Sequence, residues 1–247
     1  MEKLKFLGII PARYESTRFP GKPLAMLKDK PMIQWVYENA SKALDQVCVA
    51  TDDNRIFNAV EQFGGRVVKT LPTHQSGTDR CAEAADILSK TIDFDVVINI
   101  QGDEPFIKPT QIELLKSRFK DDTEIATLVK EIDSSEELFN PNRPKVVLDK
   151  NKDALYFSRS PIPFIRGKNE NEWIANNTFW VHIGMYGFRA DVLQKITKLE
   201  QGKLELAESL EQLRWLENGY KIKTAETSYQ TIGIDTPEDL EKALQLL

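Results

Sequence analysis

Several things that mark other classes of protein are scarce or missing here. Cysteine occurs only twice. Cys48 and Cys81 sit in apolar surroundings with no CxxC pair, which argues against a zinc site or a disulfide framework and reads as two buried free thiols. No stretch approaches the roughly 18 consecutive apolar residues of a membrane helix. The amino terminus, Met1-Glu2-Lys3-Leu4-Lys5, has no signal-peptide core or cleavage site, so a cytoplasmic location is expected. A surplus of positive charge is also absent: 33 Lys and Arg stand against 38 Asp and Glu, a net charge of -5. That balance gives no sign of nucleic-acid or anionic-membrane binding, so any anion site must be local. There is no GxxxxGK[ST] and no GxGxxG, hence no support for a P-loop or a Rossmann dinucleotide site. Internal repeats and linkers are missing too.

What is present is a chain of 247 residues, 41% hydrophobic and 29% charged, able to bury a core as one α/β domain spanning 1–247. The apolar run Leu4 to Ile10 breaks at Pro11, as a buried first strand does before a loop. Apolar positions 32, 33, 36, 37, 40 and 44 predict an amphipathic helix over 31–44 with Pro31 in its first turn. A strand at 47–50 follows, then a helix capped by Thr51 or Asp52, with Ile56, Val60 and Phe63 on its apolar face and Gly64-Gly65 ending it. A strand at 66–68, a helix over 78–90 and a strand at 95–100 continue the alternation. Alternation of this kind predicts a doubly wound, mostly parallel sheet covered on both faces.

The second half is less regular. A helix over 110–120, strands near 125–130, 144–148 and 183–188, and a Pro-rich turn at Ser160 to Pro163 suggest mixed strand directions. Gly167 to Asn177 reads as an exposed excursion. Helices are expected at 190–197, 205–218 and 237–246.

The chemistry gathers at predicted strand ends. The loop Pro11 to Leu24 places Arg13, Arg18 and Lys22 within one short connection at a strand's carboxyl end, where open α/β sheets bind ligands. Three cations on a loop stiffened by Pro and Gly can hold a triphosphate; a solvated basic turn is the plain alternative. After the strand 96–100 comes Gln101-Gly-Asp-Glu-Pro105, in which Asp103 can bind Mg²⁺ or stabilise its own turn. Thr231-Ile-Gly-Ile-Asp235 reads as a strand ending at a second carboxylate. Asp235 or Thr236, followed by Pro237, is also a helix N-cap signal.

Six segments taken together resemble one family. Ile10-Pro-Ala-Arg-Tyr-Glu-Ser-Thr-Arg-Phe-Pro-Gly-Lys-Pro-Leu24, His74-Gln-Ser-Gly-Thr-Asp-Arg80, Gln101-Gly-Asp-Glu-Pro105, Tyr156-Phe-Ser-Arg159, Leu210-Glu-Gln-Leu-Arg214 and Gly233-Ile-Asp-Thr-Pro-Glu-Asp239 are similar, in order and spacing, to the 3-deoxy-manno-octulosonate (Kdo) cytidylyltransferases. The resemblance runs from residue 6 to 240. It implies a nucleotide-diphospho-sugar transferase-like fold, CTP and Kdo as substrates, a Mg²⁺ cofactor and a product that feeds lipopolysaccharide biosynthesis.

Carried onto matching positions, the resemblance implies that Arg13, Arg18 and Lys22 face the CTP phosphates and that Ser76, Gly77 and Arg80 form a turn around the nucleoside. Asp103 and Asp235 correspond to Mg²⁺ ligands, and Lys22, Arg13, Asp103 and Asp235 form the catalytic set. Gln101, Arg159, His182, Tyr186, Glu211 and Gln212 line the sugar-acid pocket, with Arg159 the natural partner of a sugar carboxylate. A structural Arg159, packed against the Pro161 to Pro163 turn, is the alternative. Leu206-Ala207 and Trp180-Val181 depart from the basic residues frequent in relatives, which leaves 8-amino-Kdo or a sialic acid open as the sugar. A non-catalytic nucleotide-binding protein is the remote alternative.

The family is usually dimeric. The segment 156–188 is expected to be irregular and to serve sugar binding and dimerisation, with Trp173, Phe179 and Trp180 as interface anchors or as core.

Overall fold

The computed structural model describes residues 3–120, 122–230 and 233–245. The first stretch of the chain runs β1 (Phe6–Ala12), β2 (Met26–Leu27), β3 (Lys30–Pro31), α1 (Met32–Ser41), β4 (Gln46–Thr51), α2 (Asn54–Gln62), β5 (Val67–Lys69), α3 (Gly77–Ser89) and β6 (Val96–Asn99). It continues through α4 (Pro109–Lys116), β7 (Ile125–Glu131), α5 (Ser135–Phe139), β8 (Lys145–Leu148), β9 (Ala154–Ser158), α6 (Trp173–Asn176) and β10 (Trp180–Arg189). The last elements are α7 (Ala190–Ile196), α8 (Lys203–Glu208), α9 (Gln212–Glu217), β11 (Ile222–Glu226) and α10 (Pro237–Leu244). Two compact units result. The first holds the described residues of Met1–Glu113, Gly187–Thr197 and Thr231–Leu247; the second holds those of Leu114–Tyr186 and Lys198–Gln230.

In the first unit β1 is central. Its run Leu7, Ile9 and Ile10 is fully buried, as expected of a strand covered on both faces. β1 pairs in parallel with β4, from Leu7↔Gln46 to Ala12↔Thr51, and with β6, from Phe6↔Val96 to Ile9↔Asn99; β4 in turn pairs in parallel with β5. The chain therefore steps outward from β1 to β4 and β5, then returns through α3 to the other side of β1. Right-handed crossovers in opposite directions put α1 and α2 on one face and α3 on the other. The doubly wound, mostly parallel α/β fold expected from the alternation is the fold observed. Its strand order reverses between β1 and β6, and the loops leaving their carboxyl ends are those that carry Lys22 and Asp103.

The second unit is mixed in direction, as its irregular pattern suggested. β7 and β11 are parallel, from Ile125↔Ile222 to Val129↔Glu226. β8 runs antiparallel both to β9, with Lys145 opposite Ser158, and to the start of β10, with Val181 opposite Lys145. Ile132, Leu138, Trp173, Phe179 and Val181 form one buried cluster. Trp173 and Phe179 are thus core residues, not interface anchors, while Trp180 lies half-buried beneath the Lys152 ammonium.

Several boundaries differ from expectation for identifiable reasons. The cap of α2 is Asp53, whose carboxylate accepts the Arg55 and Ile56 N–H groups, rather than Thr51 or Asp52. The single helix expected over 205–218 is two, because Ser209 adopts a left-handed conformation (φ 51°) that ends α8 before α9 begins. β9 and β11 are additional strands. Gly233 and Ile234 are not in a strand, and positions 231, 232 and 246 of the expected strand and helix lie outside the described residues.

Candidate active site

The loop after β1 turns on Gly21, whose φ of +75° is one that L side chains rarely adopt, and Gly21 N–H donates to the Tyr14 carbonyl at 2.8 Å. A 3-10 turn, Lys22–Leu24, follows at once. Lys22 is therefore aimed from a fixed backbone, and its side chain is only 14% exposed. Its ammonium lies 2.6 Å from Asp103 Oδ2 and 3.0 Å from Asp235 Oδ1. Arg18 adds a third contact, 3.0 Å from Asp235 Oδ2. Burial by itself lowers the Lys22 pKa, but the two carboxylates outweigh it and raise the value above that of a free lysine.

The carboxylates arrive from two turns, one after β6 and one before α10. Asp103 lies in the turn after β6, packed so closely that a Cβ on Gly102 would sit 3.0 Å from the Pro11 carbonyl oxygen. Asn39 on α1 donates to the Pro105 carbonyl at 2.9 Å and holds the turn's far end. The backbone joins the two turns directly, Ile234 N–H donating to the Asp103 carbonyl at 2.9 Å. The N-cap of α10 is Thr236, in a reciprocal capping box with Asp239. Because Thr236 and Asp239 satisfy the helix start, the Asp235 carboxylate is free to face Lys22 and Arg18. The sequence left cap and ligand open for Asp235, and the geometry gives the cap to Thr236.

Of the remaining first-unit candidates, Arg13 is exposed with no side-chain partner among the described residues. Ser76 caps α3 in a capping box with Asp79, and Gly77 abuts the end of β1, since a Cβ there would lie 3.3 Å from Pro11 Cγ. Arg80 is 5% exposed and engaged elsewhere: it lies 2.8 Å from Asp52 Oδ1 and donates to Thr70 Oγ1 at 2.6 Å, tying α3 to the ends of β4 and β5. Gln101 is half-buried at the end of β6.

The second unit brings His182 and Tyr186 together on one face of β10, ring centroids 5.1 Å apart, with His182 Nε2 3.0 Å from the Thr127 hydroxyl. Burial, with a smaller contribution from the Arg143 charge, lowers the His182 pKa from 6.5 to about 3, so the ring is neutral near pH 7. Tyr186 meets Trp215 edge to face at 5.0 Å, which packs β10 against α9, the helix that Glu211 and Gln212 begin. Glu211 pairs with Arg214 at 3.2 Å, and buried Gln212 has an Nε2 without a partner among the described residues. Arg159 is clamped rather than free. Its guanidinium donates to the carbonyls of Glu208, Ser209 and Pro141, at 2.6, 3.2 and 3.0 Å.

Three residues near these candidates were not singled out by the sequence, two of them, Lys145 and Glu208, lying outside every motif. Lys145 is fully buried on β8 among valines, and burial lowers its pKa to about 8. Glu208 accepts from Ser158 Oγ at 2.6 Å and from Arg159 N–H at 2.9 Å, a bond that depends on β9, which sequence periodicity did not show. Tyr14 stacks on Arg55 of α2.

A doubly wound sheet that meets cations from one strand end with a carboxylate from its neighbour and a second from the start of a helix, at the point where strand order reverses, is the architecture of an α/β nucleotidyltransferase. The cytidylyltransferase family model matches residues 7–222. The chain belongs to that family, and within it to the 3-deoxy-manno-octulosonate cytidylyltransferases. Proteins described by that name from Parabacteroides distasonis and Fusobacterium nucleatum are 63% and 49% identical, over 99% of this chain in both cases and 98% and 97% of theirs. A solved structure of CMP:2-keto-3-deoxy-manno-octonic acid synthetase complexed with CTP is 44% identical, covers 98% of each chain and superposes with a TM-score of 0.89. A cytidylyltransferase from Leptospira borgpetersenii, at 17% identity and a TM-score of 0.62, shares the fold; the match covers 97% of this chain and 84% of that one.

Proposed function

We propose that this protein transfers CMP from CTP to the anomeric hydroxyl of Kdo, releasing pyrophosphate, and so supplies the activated sugar for lipopolysaccharide biosynthesis. The observation that carries the reading is the Lys22 ammonium held between Asp103 and Asp235. The names of the relatives, with near-complete coverage, supply the substrate pair.

The residues fit a Mg²⁺ cofactor. Two carboxylates from separate turns converge on one positive charge, and no third His, Cys, Asp or Glu joins them among the described residues. That donor set leaves room for the water and phosphate oxygens Mg²⁺ prefers. Asp103 and Asp235 would hold it; when bound, the ion supplies neutralisation of phosphate charge and acidification of the sugar hydroxyl. Lys22, Arg13 and Arg18 bind the triphosphate, and Lys22 neutralises charge on the departing pyrophosphate. The reacting oxygen is placed in line with the α-phosphorus by binding, and orientation supplies much of the acceleration.

On the sugar side, His182, Tyr186, Glu211 and Gln212 offer neutral and acidic partners for hydroxyl groups. Buried Gln212, with an unpaired Nε2, is the group in that set most in need of an acceptor. Arg159 spends three of the five guanidinium donors on carbonyls, which leaves two for a sugar carboxylate. Ser76 and Gly77 present the start of α3 to the nucleoside, with Arg80 holding that turn from behind. The reading includes action in the cytoplasm, in keeping with the lack of any helix among the described residues long and apolar enough to cross a membrane. It also includes a homodimer. With Trp173 and Phe179 in the core, the most exposed large apolar side chain among the described residues is Phe164, at 72%, and it is the interface candidate of this reading.

Pyrophosphate release measured with CTP, ATP, GTP and UTP against Kdo, 8-amino-Kdo and a sialic acid tests nucleotide and sugar together. Turnover confined to CTP with Kdo supports the proposal. Preference for 8-amino-Kdo or a sialic acid would replace the sugar and keep the reaction, and CTP binding without turnover would point to a non-catalytic protein.

A further inference from the structure

A lysine ammonium on a flexible four-carbon stem is placed only as well as the backbone that carries it. The turn that carries Lys22 rests on an aromatic ring. The Tyr14 ring lies so close to Gly21 that a Cβ there would meet Cζ at 2.9 Å and Oη at 3.0 Å. The same pair is joined by the Gly21 N–H to Tyr14 carbonyl bond, so residues 14 to 21 close into a loop whose last member precedes Lys22.

Tyr14 is itself held. The Arg55 guanidinium carbon lies 3.2 Å from the Tyr14 ring centroid, a stacked cation–π contact. Arg55 is fixed in turn by a two-pronged bond to Asp53, Nε to Oδ1 at 3.0 Å and Nη2 to Oδ2 at 2.6 Å. Asp53 is the N-cap of α2, two residues beyond the end of β4. A chain of contacts thus runs from a rigid strand–helix junction through Asp53, Arg55 and Tyr14 to Gly21. Neither Tyr14 nor Arg55 is paired with Asp103 or Asp235.

We propose that Tyr14, held in place by Arg55, is the positioning residue for Lys22: it fixes the turn that delivers the ammonium to the phosphate-binding side of the site. This inference rests on the reading of the 11–24 loop as the CTP-phosphate loop. The guanidinium over the ring and the ring's packing on Gly21 are the working features; the phenol hydroxyl is dispensable.

The test is steady-state kinetics of the full-length protein with Mg²⁺, CTP and Kdo, together with calorimetric CTP binding, for Tyr14→Leu, Tyr14→Phe and Arg55→Gln. Misplacing a catalytic group by about 1 Å can lower rate by about a hundredfold, so Tyr14→Leu should lose between about tenfold and about a hundredfold in kcat/KM for CTP. Its KM for Kdo should stay within about twofold and Tyr14→Phe should restore wild-type values, because a ring that only positions the loop leaves sugar affinity alone. Arg55→Gln, on the exposed start of α2, should show a smaller loss of the same kind and covers the case in which Tyr14→Leu does not fold.

Three results overturn the inference alone: wild-type CTP kinetics in both Tyr14→Leu and Arg55→Gln, a KM for Kdo that rises in step with that for CTP, or Tyr14→Phe as impaired as Tyr14→Leu. Failure of the wild-type protein to bind CTP overturns the phosphate-loop reading and this inference with it.

Discussion

Lys22 stands between two carboxylates that the proposed mechanism assigns to a cation, so lysine and metal compete for the same oxygens. Replacing it by an uncharged residue of similar length, Lys22→Met, should weaken CTP binding while tightening the binding of Mn²⁺ in the absence of nucleotide. Titration followed by electron paramagnetic resonance reads the second effect without turnover, and unchanged Mn²⁺ affinity would speak against Asp103 and Asp235 as its ligands. Arg80 carries the opposite lesson. Its engagement with Asp52 and Thr70 makes it a brace. Arg80→Ala should therefore lower stability, by about 2–4 kcal/mol if the buried pair behaves as others do, which urea denaturation will measure. Sequence marked both residues as cations of a ligand loop; only burial and partners distinguish the one aimed into the site from the one turned into the fold.

Elements were legible where a single pattern governed them. The buried apolar run of β1 and the period of α1 each needed no tertiary information, and the strand–helix alternation gave the parallel sheet. The turns after β1 and β6 could be placed at one sheet edge for the same reason, though the direct pairing of Lys22 with Asp103 was not read from the sequence. The misses are equally specific. β11 is a strand because it adds to β7, a pairing far away in sequence, and the break between α8 and α9 depends on Ser209 entering a left-handed conformation that its side chain does not advertise. Ser209→Gly should relieve that conformation and raise stability by up to about 1 kcal/mol, while Thr236→Ala should remove the α10 cap and lower it by about 1 kcal/mol. Thermal unfolding distinguishes the two signs. Loss of the cap should also loosen Asp235, whose N–H donates to Asp239 in the same box.

At the scale of the whole molecule, pH acts through His182. Its folded-state pKa of about 3 lies below the 6.5 of an unperturbed imidazole. Between those values the unfolded chain binds a proton that the folded chain refuses, so the stability due to neutral His182 is complete above pH 6.5 and is lost as pH falls toward 3. Tm should therefore drop on acidification from pH 7 to 4, and less steeply in His182→Gln; equal slopes would show that the ring is not held neutral. Assembly belongs to this scale as well. Sedimentation at micromolar concentration should give a dimer that Phe164→Asp weakens, and a monomeric wild-type protein would remove the proposal.

The central claim is that Asp103 and Asp235, meeting at the sheet's switch point, make this fold a nucleotidyltransferase, and it is tested most directly by pyrophosphate release from CTP and Kdo in Asp103→Asn and Asp235→Asn. Both substitutions keep volume and remove charge, so turnover should fall by orders of magnitude with circular dichroism unchanged. Pyrophosphate released by either variant at close to the wild-type rate would contradict the account.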